Sequence, residues 1–159
     1  MKLFTLILLS FFLTGCCSFQ TRSMDIPFVH PNGTDCANIA LQEVVQYYFK
    51  TKHPETSKIK SVPELIVALR EAGLHPELIK PSIPALVEAL EENIPVILIL
   101  KTRSKDDMLH CVVVTSIEPV FYRIRVHDKK PNTIMSLNEI KRKWSGLIKV
   151  YSETNENRN

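Results

Sequence analysis

The apolar pattern of this chain changes near residue 95, and that change limits the folds that the chain can adopt. Before residue 95 the apolar residues recur at helical spacing, and after it they form short β-branched runs that are typical of strands. Helices are predicted at 36–49, 63–72, 82–93 and 137–144, and strands at 96–100, 111–117, 120–126 and 147–151. Helices that precede antiparallel strands indicate an α+β fold.

The first residues are typical of a targeting segment. Lys2 precedes an apolar run at 3–13, which is shorter than the ~20 residues of a membrane-spanning helix and predicts a secretory signal peptide. The tetrapeptide Leu13-Thr14-Gly15-Cys16 resembles the lipobox of bacterial lipoproteins, which implies that Cys16 is lipidated and becomes the N-terminus. An ordinary secretory signal with incidental cysteines is the alternative.

The expected organisation follows from this resemblance. We predict a lipoprotein signal peptide at 1–15, a lipidated N-terminus and tether at 16–25, one domain at 26–151 and a polar tail at 152–159. The lipid anchor implies contact with a membrane of the bacterial envelope. Cys17 occupies the position where the inner-membrane retention signal has Asp, which favours the periplasmic face of the outer membrane.

Composition and cysteine count narrow the possible ligands. The formal net charge is +3, and no basic stripe with interleaved aromatic residues is present, so we expect no nucleic-acid partner. No His/Cys cluster has metal-ligand spacing, so we expect no metal and no other cofactor. An oxidising compartment leaves a Cys36–Cys111 disulfide as an alternative. Because His110 and Cys111 are neighbours on a predicted strand, we expect Cys111 to face away from Cys36 if His110 faces it.

Three residues could together form a thiol-hydrolase site. Cys36 follows the capping residue Asp35 at the start of a predicted helix, where the macrodipole stabilises a thiolate. His110 begins a predicted strand, and Asp128 follows the end of the next one. In such a site His110 would pair with the thiolate and Asp128 would orient the imidazole ring. Spacing alone leaves a core cysteine, a surface histidine and a turn aspartate as alternatives.

Five motifs in order resemble the bacteriocin-processing cysteine peptidases, which cut after double-glycine leaders. The matching segments are Asp35-Cys36-Ala37 with Tyr47-Tyr48, Asn93-Ile94-Pro95-Val96-Ile97, His110-Cys111-Val112-Val113, Val126-His127-Asp128-Lys129, and Ser136-Leu137-Asn138-Glu139 with Trp144-Ser145-Gly146. The resemblance covers residues 27–151. It implies a papain-like fold, with N-terminal helices packed on an antiparallel sheet, and the catalytic residues Cys36, His110 and Asp128.

The sequence departs from this family near the nucleophile. The family has an oxyanion-hole glutamine six positions before the cysteine, where this chain has His30. A histidine N–H is able to donate to an oxyanion, and an exposed loop residue is the alternative interpretation. Ala37 and Asn38 replace the family's glycine and proline. Lys129 replaces the proline after the acid, and its ammonium group is able to compete with His110 for the Asp128 carboxylate.

Two hypotheses about function follow. The first is a lipid-anchored cysteine peptidase of the envelope that cleaves a peptide or leader after small residues. The second is a catalytically degenerate, peptidase-like module that binds a secreted peptide or an envelope partner. A transferase or amidase on the same fold is a third, weaker alternative. The sequence contains no ATP-binding cassette. A separate secretion apparatus is therefore a candidate partner under either hypothesis.

Overall fold

The computed structural model describes residues 21–30, 35–52, 58–101, 110–118, 120 and 122–153. The predicted signal peptide, Cys16, Cys17 and most of the predicted polar tail lie outside these residues. Within the described ranges, no helix is long and apolar enough to cross a membrane.

Helices α1 (Cys36–Phe49), α2 (Val62–Glu71), α3 (Ile83–Glu91) and α4 (Leu137–Lys143) occur where the sequence predicts them. Each begins after a residue whose side chain accepts a hydrogen bond from the backbone N–H three residues later, and these caps are Asp35, Ser61, Ser82 and Ser136. Such caps satisfy one of the free N–H groups at a helix start. The capping residues therefore fix where each helix begins.

Seven strands form one antiparallel sheet across the described residues. Their bounds are β1 (Arg22–Ser23), β2 (His75–Ile79), β3 (Val96–Leu100), β4 (His110–Glu118), β5 (Arg123–His127), β6 (Thr133–Ser136) and β7 (Trp144–Tyr151). The order is β2-β7-β3-β4-β5-β6, and β1 pairs with β4. The predicted α+β fold class is confirmed, with helices packed on an antiparallel sheet.

Three strands were not predicted from the sequence. β2 and β6 are the two edges of the main sheet, and most of their side chains are partly or fully exposed, so they lack an apolar signal. β1 has only two residues and lies within the predicted tether at 16–25. The backbone N–H of Met24, which is buried, donates to the carbonyl of Thr115 at 2.7 Å. The sheet therefore begins before residue 26.

The core lies between the helices and the central strands. All of β3 is buried, and so are the middle residues of β4 and of β7, as continuous apolar runs predict. Helix α1 packs against β4 and buries Leu41, Val44 and Val45. This contact brings the first residue of α1 to the first residue of β4.

Gly146 lies inside β7, at a close approach of three strands. It follows the end of α4 at Lys143 and belongs to the strand that begins at Trp144. A β-carbon at this position would lie 3.3 Å from Cγ1 of Ile99 on β3 and 3.4 Å from Cδ1 of Leu78 on β2. The absence of a side chain thus allows the strands on both sides to pack closely.

Candidate active site

The start of α1 holds Cys36 in a fixed position. The Asp35 carboxylate accepts hydrogen bonds from the backbone N–H of Asn38 at 2.9 Å and from its side-chain amide at 2.7 Å. The N–H groups of the first helical turn have no partner within the helix, so the positive end of the helix dipole lies at Cys36. Asn38, which replaces the family's proline, is thus buried and part of the cap.

His110, the first residue of β4, lies beside this cysteine. Its ring interacts with the Cys36 sulfur, and both residues line one cavity. The next backbone N–H, of Cys111, donates to the same sulfur at 3.2 Å. The packing of α1 on β4 therefore brings the predicted nucleophile and the predicted base into contact.

Asp128 lies just beyond the end of β5, next to β4 in the sheet. Its Oδ1 is 3.7 Å from Nε2 of His110, which is an ion-pair distance and longer than a direct hydrogen bond. The Asp128 backbone N–H faces the carbonyl of Lys130 at 3.4 Å, so a turn holds the residue. The structure thus brings Cys36, His110 and Asp128 together in the order expected of a thiol-hydrolase site.

The surroundings favour the ion-pair form of this site. Hydrogen bonds from the Cys111 thiol, from His110 and from the Cys111 backbone lower the pKa of Cys36 to about 5, although burial opposes them. The pKa of His110 is raised, first by its hydrogen bond to Cys36 and also by Asp128, against burial and Lys129. Both shifts favour a thiolate beside an imidazolium, which is the reactive state of a catalytic cysteine.

The prediction that Cys111 faces away from Cys36 is wrong. Both cysteines line the same cavity, and the side chain of Cys111 interacts with the Cys36 sulfur. The alternation argument treats only side chains that extend perpendicular to the sheet. Here the helix start lies over the strand backbone itself, so both neighbours, His110 and Cys111, reach the sulfur. Both cysteines are free thiols, and the alternative of a disulfide between them is not observed.

His30 does not contact the nucleophile in the way that an assembled oxyanion hole requires. Its side chain is exposed, and its ring packs edge-on against Phe28 with 5.2 Å between ring centroids. Among the described residues, those that line the cavity at Cys36 do not include His30. The segment at 31–34, which joins His30 to the helix cap, lies outside the described residues. Its role as oxyanion donor therefore stays a prediction.

Two depressions meet at the candidate site. One has a volume of about 420 Å³ and is lined by Cys36, Ile39, Ala40, Glu43, His110, Cys111, Val113, His127, Asp128 and Lys129. The other, of about 800 Å³, shares His110 and Asp128 and has Lys101, Arg142 and Lys143 among its lining residues. The two hollows therefore meet at His110 and Asp128, and the second one also contains Glu139, which pairs with Lys143 at 2.7 Å.

A second imidazole–carboxylate pair lies in the first cavity and was not identified from the sequence. Oε2 of Glu43 is 3.2 Å from Nδ1 of His127, and both side chains are buried. The available signal was the position of Glu43, seven residues after Cys36 within an apolar helical stripe. The described residues contain no group of three or more His, Cys, Asp or Glu side chains arranged to hold a metal ion.

Comparisons with solved structures identify the fold. The peptidase domain of Streptococcus ComA, a bifunctional ABC transporter of a quorum-sensing pathway, has a TM-score of 0.62 and 17% identity over 80% of this chain and 97% of that domain. A double-glycine-motif protease from an AMS/PCAT transporter, solved with its leader peptide, has a TM-score of 0.60 and 15% identity over 81% of this chain and 91% of the other.

A Bacillus anthracis protein described as a C39-like peptidase has a TM-score of 0.63 and 12% identity over 84% of this chain and 98% of the other. No protein-family model and no curated protein sequence matches this chain. The identities are low, so the likeness concerns the fold. This chain has the α+β, papain-like fold of the double-glycine leader peptidase domains.

Proposed function

We propose that this protein is a cysteine peptidase in which Cys36 is the nucleophile, His110 the general acid and base, and Asp128 the group that orients the imidazole. The observation that carries the proposal is that Cys36, His110 and Asp128 line one cavity, and that His110 and Asp128 also line a second cavity beside it. The lowered pKa of Cys36 and the shared fold support the same activity.

The geometry supports peptide hydrolysis in two stages, acylation of Cys36 and hydrolysis of the thioester. The Cys36 thiolate adds to the carbonyl carbon of the scissile peptide bond, and the carbonyl π pair moves to oxygen. The backbone N–H of Cys36, at the positive end of the helix dipole, would donate to that oxyanion, with His30 as a proposed second donor. The His110 imidazolium then protonates the departing amine. Water deprotonated by His110 cleaves the thioester, which releases the acid and restores the thiolate.

We further propose a substrate with small residues before the scissile bond, as in a double-glycine leader. One structure with the same fold is a double-glycine-motif protease that was solved in complex with its leader peptide, and this supports a peptide substrate. The motif Leu13-Thr14-Gly15-Cys16 supports a lipid anchor on Cys16, and thereby a site of action in the bacterial envelope at the periplasmic face of the outer membrane.

Activity is tested with two synthetic peptides that differ only in the residues before the scissile bond, Gly-Gly in one and Val-Val in the other. We expect the wild type to cleave the Gly-Gly peptide and Cys36→Ala to leave both intact, as measured by mass spectrometry of the products. Binding of the peptide without cleavage, together with no reaction of Cys36 with thiol-directed peptidyl probes, would show the degenerate binding module instead.

The oxyanion donor is tested at His30 in the same assay. His30→Ala should lower turnover by roughly 10²–10³, the cost of one lost donor, and His30→Gln should retain activity because an amide N–H replaces the imidazole N–H. Equal activity in all three proteins would assign the donor role to other groups.

The lipid anchor is tested by radioactive fatty-acid labelling and membrane fractionation in a bacterial host. We expect Cys16→Ala to abolish labelling and to release the protein from the membrane fraction, with Cys17→Ala as the matched control that changes neither. Fractionation of Cys16→Ala with the membrane, without label, would contradict the anchor and leave the peptidase proposal intact.

A further inference from the structure

Glu43 is a buried acid in the apolar face of α1. It lies two turns beyond Cys36 on the same helix, and its side chain has no solvent exposure. A buried carboxylate is unfavourable unless other groups compensate it, and burial here raises the pKa of Glu43. Replacement of a whole buried ion pair by apolar residues is often neutral or stabilising, so such a pair is weak evidence for a role in stability alone. The groups that Glu43 contacts are therefore informative.

The two carboxylate oxygens contact two different parts of the chain. Oε1 accepts a hydrogen bond from the backbone N–H of Val29 at 3.1 Å. Oε2 lies 3.2 Å from Nδ1 of His127, close enough for an ion pair, although the alignment of the two atoms is not that of a hydrogen bond. Glu43 thus connects helix α1 to the segment before it and to the end of β5.

The segment from Phe28 to His30, here called the entry segment, is held from two sides. Glu43 fixes its backbone at Val29. The Phe28 ring packs edge-on against His127 and against His30, in each case with 5.2 Å between ring centroids and an interplanar angle of 80°. Glu43, His127 and Phe28 therefore form a continuous set of contacts that ends at His30.

We propose that Glu43 is a positioning residue of the active site, which fixes the entry segment so that oxyanion donors are presented to the substrate carbonyl. This inference rests on the proposed peptidase function. Glu43 acts through Val29 and, by way of His127 and Phe28, through His30. His127 directly precedes Asp128, so the same contacts also hold the end of β5 that carries the orienting acid.

Two reactions of the same cysteine separate this role from a purely structural one. With iodoacetamide, the Cys36 thiolate displaces iodide and no oxyanion forms, so the rate reports the thiolate and its partner His110. With a peptide aldehyde that ends in two glycine residues, the thiolate adds to the carbonyl carbon and the π pair moves to oxygen, which takes a proton from the His110 imidazolium. Only the second reaction uses the oxyanion donors.

Four variants are compared with the wild type in both reactions, each with Cys17 changed to Ser. Glu43→Ala removes both contacts, and Glu43→Gln keeps an oxygen that accepts from Val29. Phe28→Leu removes the ring contacts and leaves Glu43 in place, so it keeps the test decisive if Glu43→Ala does not fold. Glu88→Ala is the matched control, because it breaks the Glu88–Lys149 ion pair of 2.6 Å on α3 and β7, away from the site.

We expect Glu43→Ala to weaken aldehyde binding by at least about tenfold, less than the roughly 10²–10³ of a lost oxyanion donor because Glu43 acts through other residues, while the iodoacetamide rate changes less than about twofold. Phe28→Leu should show the same selective loss to a smaller extent, Glu43→Gln should recover most of the affinity, and Glu88→Ala should change neither reaction.

Unchanged aldehyde binding in Glu43→Ala and Phe28→Leu overturns the inference, and so does an equal loss in both reactions, which would show a structural role alone. A wild type that reacts with iodoacetamide but does not bind the aldehyde would instead contradict the proposed peptidase function.

Discussion

Two imidazole–carboxylate pairs lie side by side in this protein, and their surroundings differ. His110 and Asp128 are 29% and 26% exposed, with 3.7 Å between nitrogen and oxygen. His127 and Glu43 are 4% and 0% exposed, with 3.2 Å between the atoms. His127 and Asp128 are consecutive residues, and one belongs to each pair.

The difference explains which pair suits chemistry. Proton exchange with a substrate needs access, and a loosely spaced pair at a cleft surface provides it, whereas an interaction between half-exposed charges adds little stability. A buried pair is costly to desolvate and leaves an uncompensated group if one partner is removed. We therefore expect the exposed pair to control activity and the buried pair to control the local structure.

The largest predicted effect compares the two histidines. His110→Ala should lower turnover of the Gly-Gly peptide by on the order of 10⁶-fold, the scale known for loss of a nucleophile's base, with little change in the free energy of unfolding. His127→Ala should retain reaction of Cys36 with iodoacetamide, because His110 still pairs with the thiolate. Equal loss of iodoacetamide reactivity in both variants would contradict this division of roles.

Substitution of the two acids should change the free energy of unfolding in the opposite order, with the larger effect in the buried pair. Glu43→Ala leaves His127 buried without its partner, so we expect the free energy of unfolding to fall by about 3–5 kcal/mol. Asp128→Asn removes one charge from a half-exposed pair, so we expect a change of about 1 kcal/mol or less, together with reduced turnover. Urea denaturation followed by circular dichroism measures both. A smaller loss for Glu43→Ala than for Asp128→Asn would reverse the comparison.

Much of the fold was predictable because its signals are local. Caps and apolar spacing located the four helices of the described residues, and buried runs located the central strands. The edge strands β2 and β6 were missed because partly exposed strands carry no apolar pattern. The position of β2 depends on its pairing with β7, which is distant along the chain. The register of β6 is set only by its pairing with β5 in the sheet.

The candidate site was predictable only in part. The order of motifs indicated Cys36, His110 and Asp128, since each lies at the start or end of a recognisable element. The contacts of Cys111 and of Glu43 were not predicted, because they depend on how α1 lies over β4 and β5. An acid within an apolar helical stripe was the visible sign that a buried partner was needed.

The Cys111 thiol gives a smaller effect that sharpens the description of the reactive pair. Because its hydrogen bond is the largest of the interactions that lower the pKa of Cys36, Cys111→Ala should move that pKa upward. In the wild type the rate of Cys36 alkylation should rise through about pH 5 and then level off, since the thiolate forms above its pKa. Mass spectrometry of alkylated Cys36 across pH, with Cys17 changed to Ser, measures the shift.

The same experiment has an internal control. Its hydrogen bond to Cys36, followed by burial, raises the pKa of Cys111, so Cys111 should stay unlabelled where Cys36 reacts. An inflection at the same pH in wild type and Cys111→Ala would show that His110 and the backbone N–H of Cys111 lower the pKa of Cys36 without a contribution from the Cys111 thiol.

Substitution of Lys129 gives the smallest predicted effect. Its dependence on salt concentration distinguishes the exposed pair from the buried one. The charge of Lys129 lowers the pKa of His110, so Lys129→Ala should raise that pKa and move the alkaline limb of the turnover–pH profile upward. The sign follows because an imidazolium is easier to keep when a neighbouring positive charge is removed. Screening weakens interactions between solvent-exposed charges, so the displacement should shrink as ionic strength rises towards 1 M. Turnover of the Gly-Gly peptide across pH, at low and high salt, measures this displacement. A displacement that salt does not change would show that the Lys129 charge is more buried than the partly exposed His110–Asp128 pair.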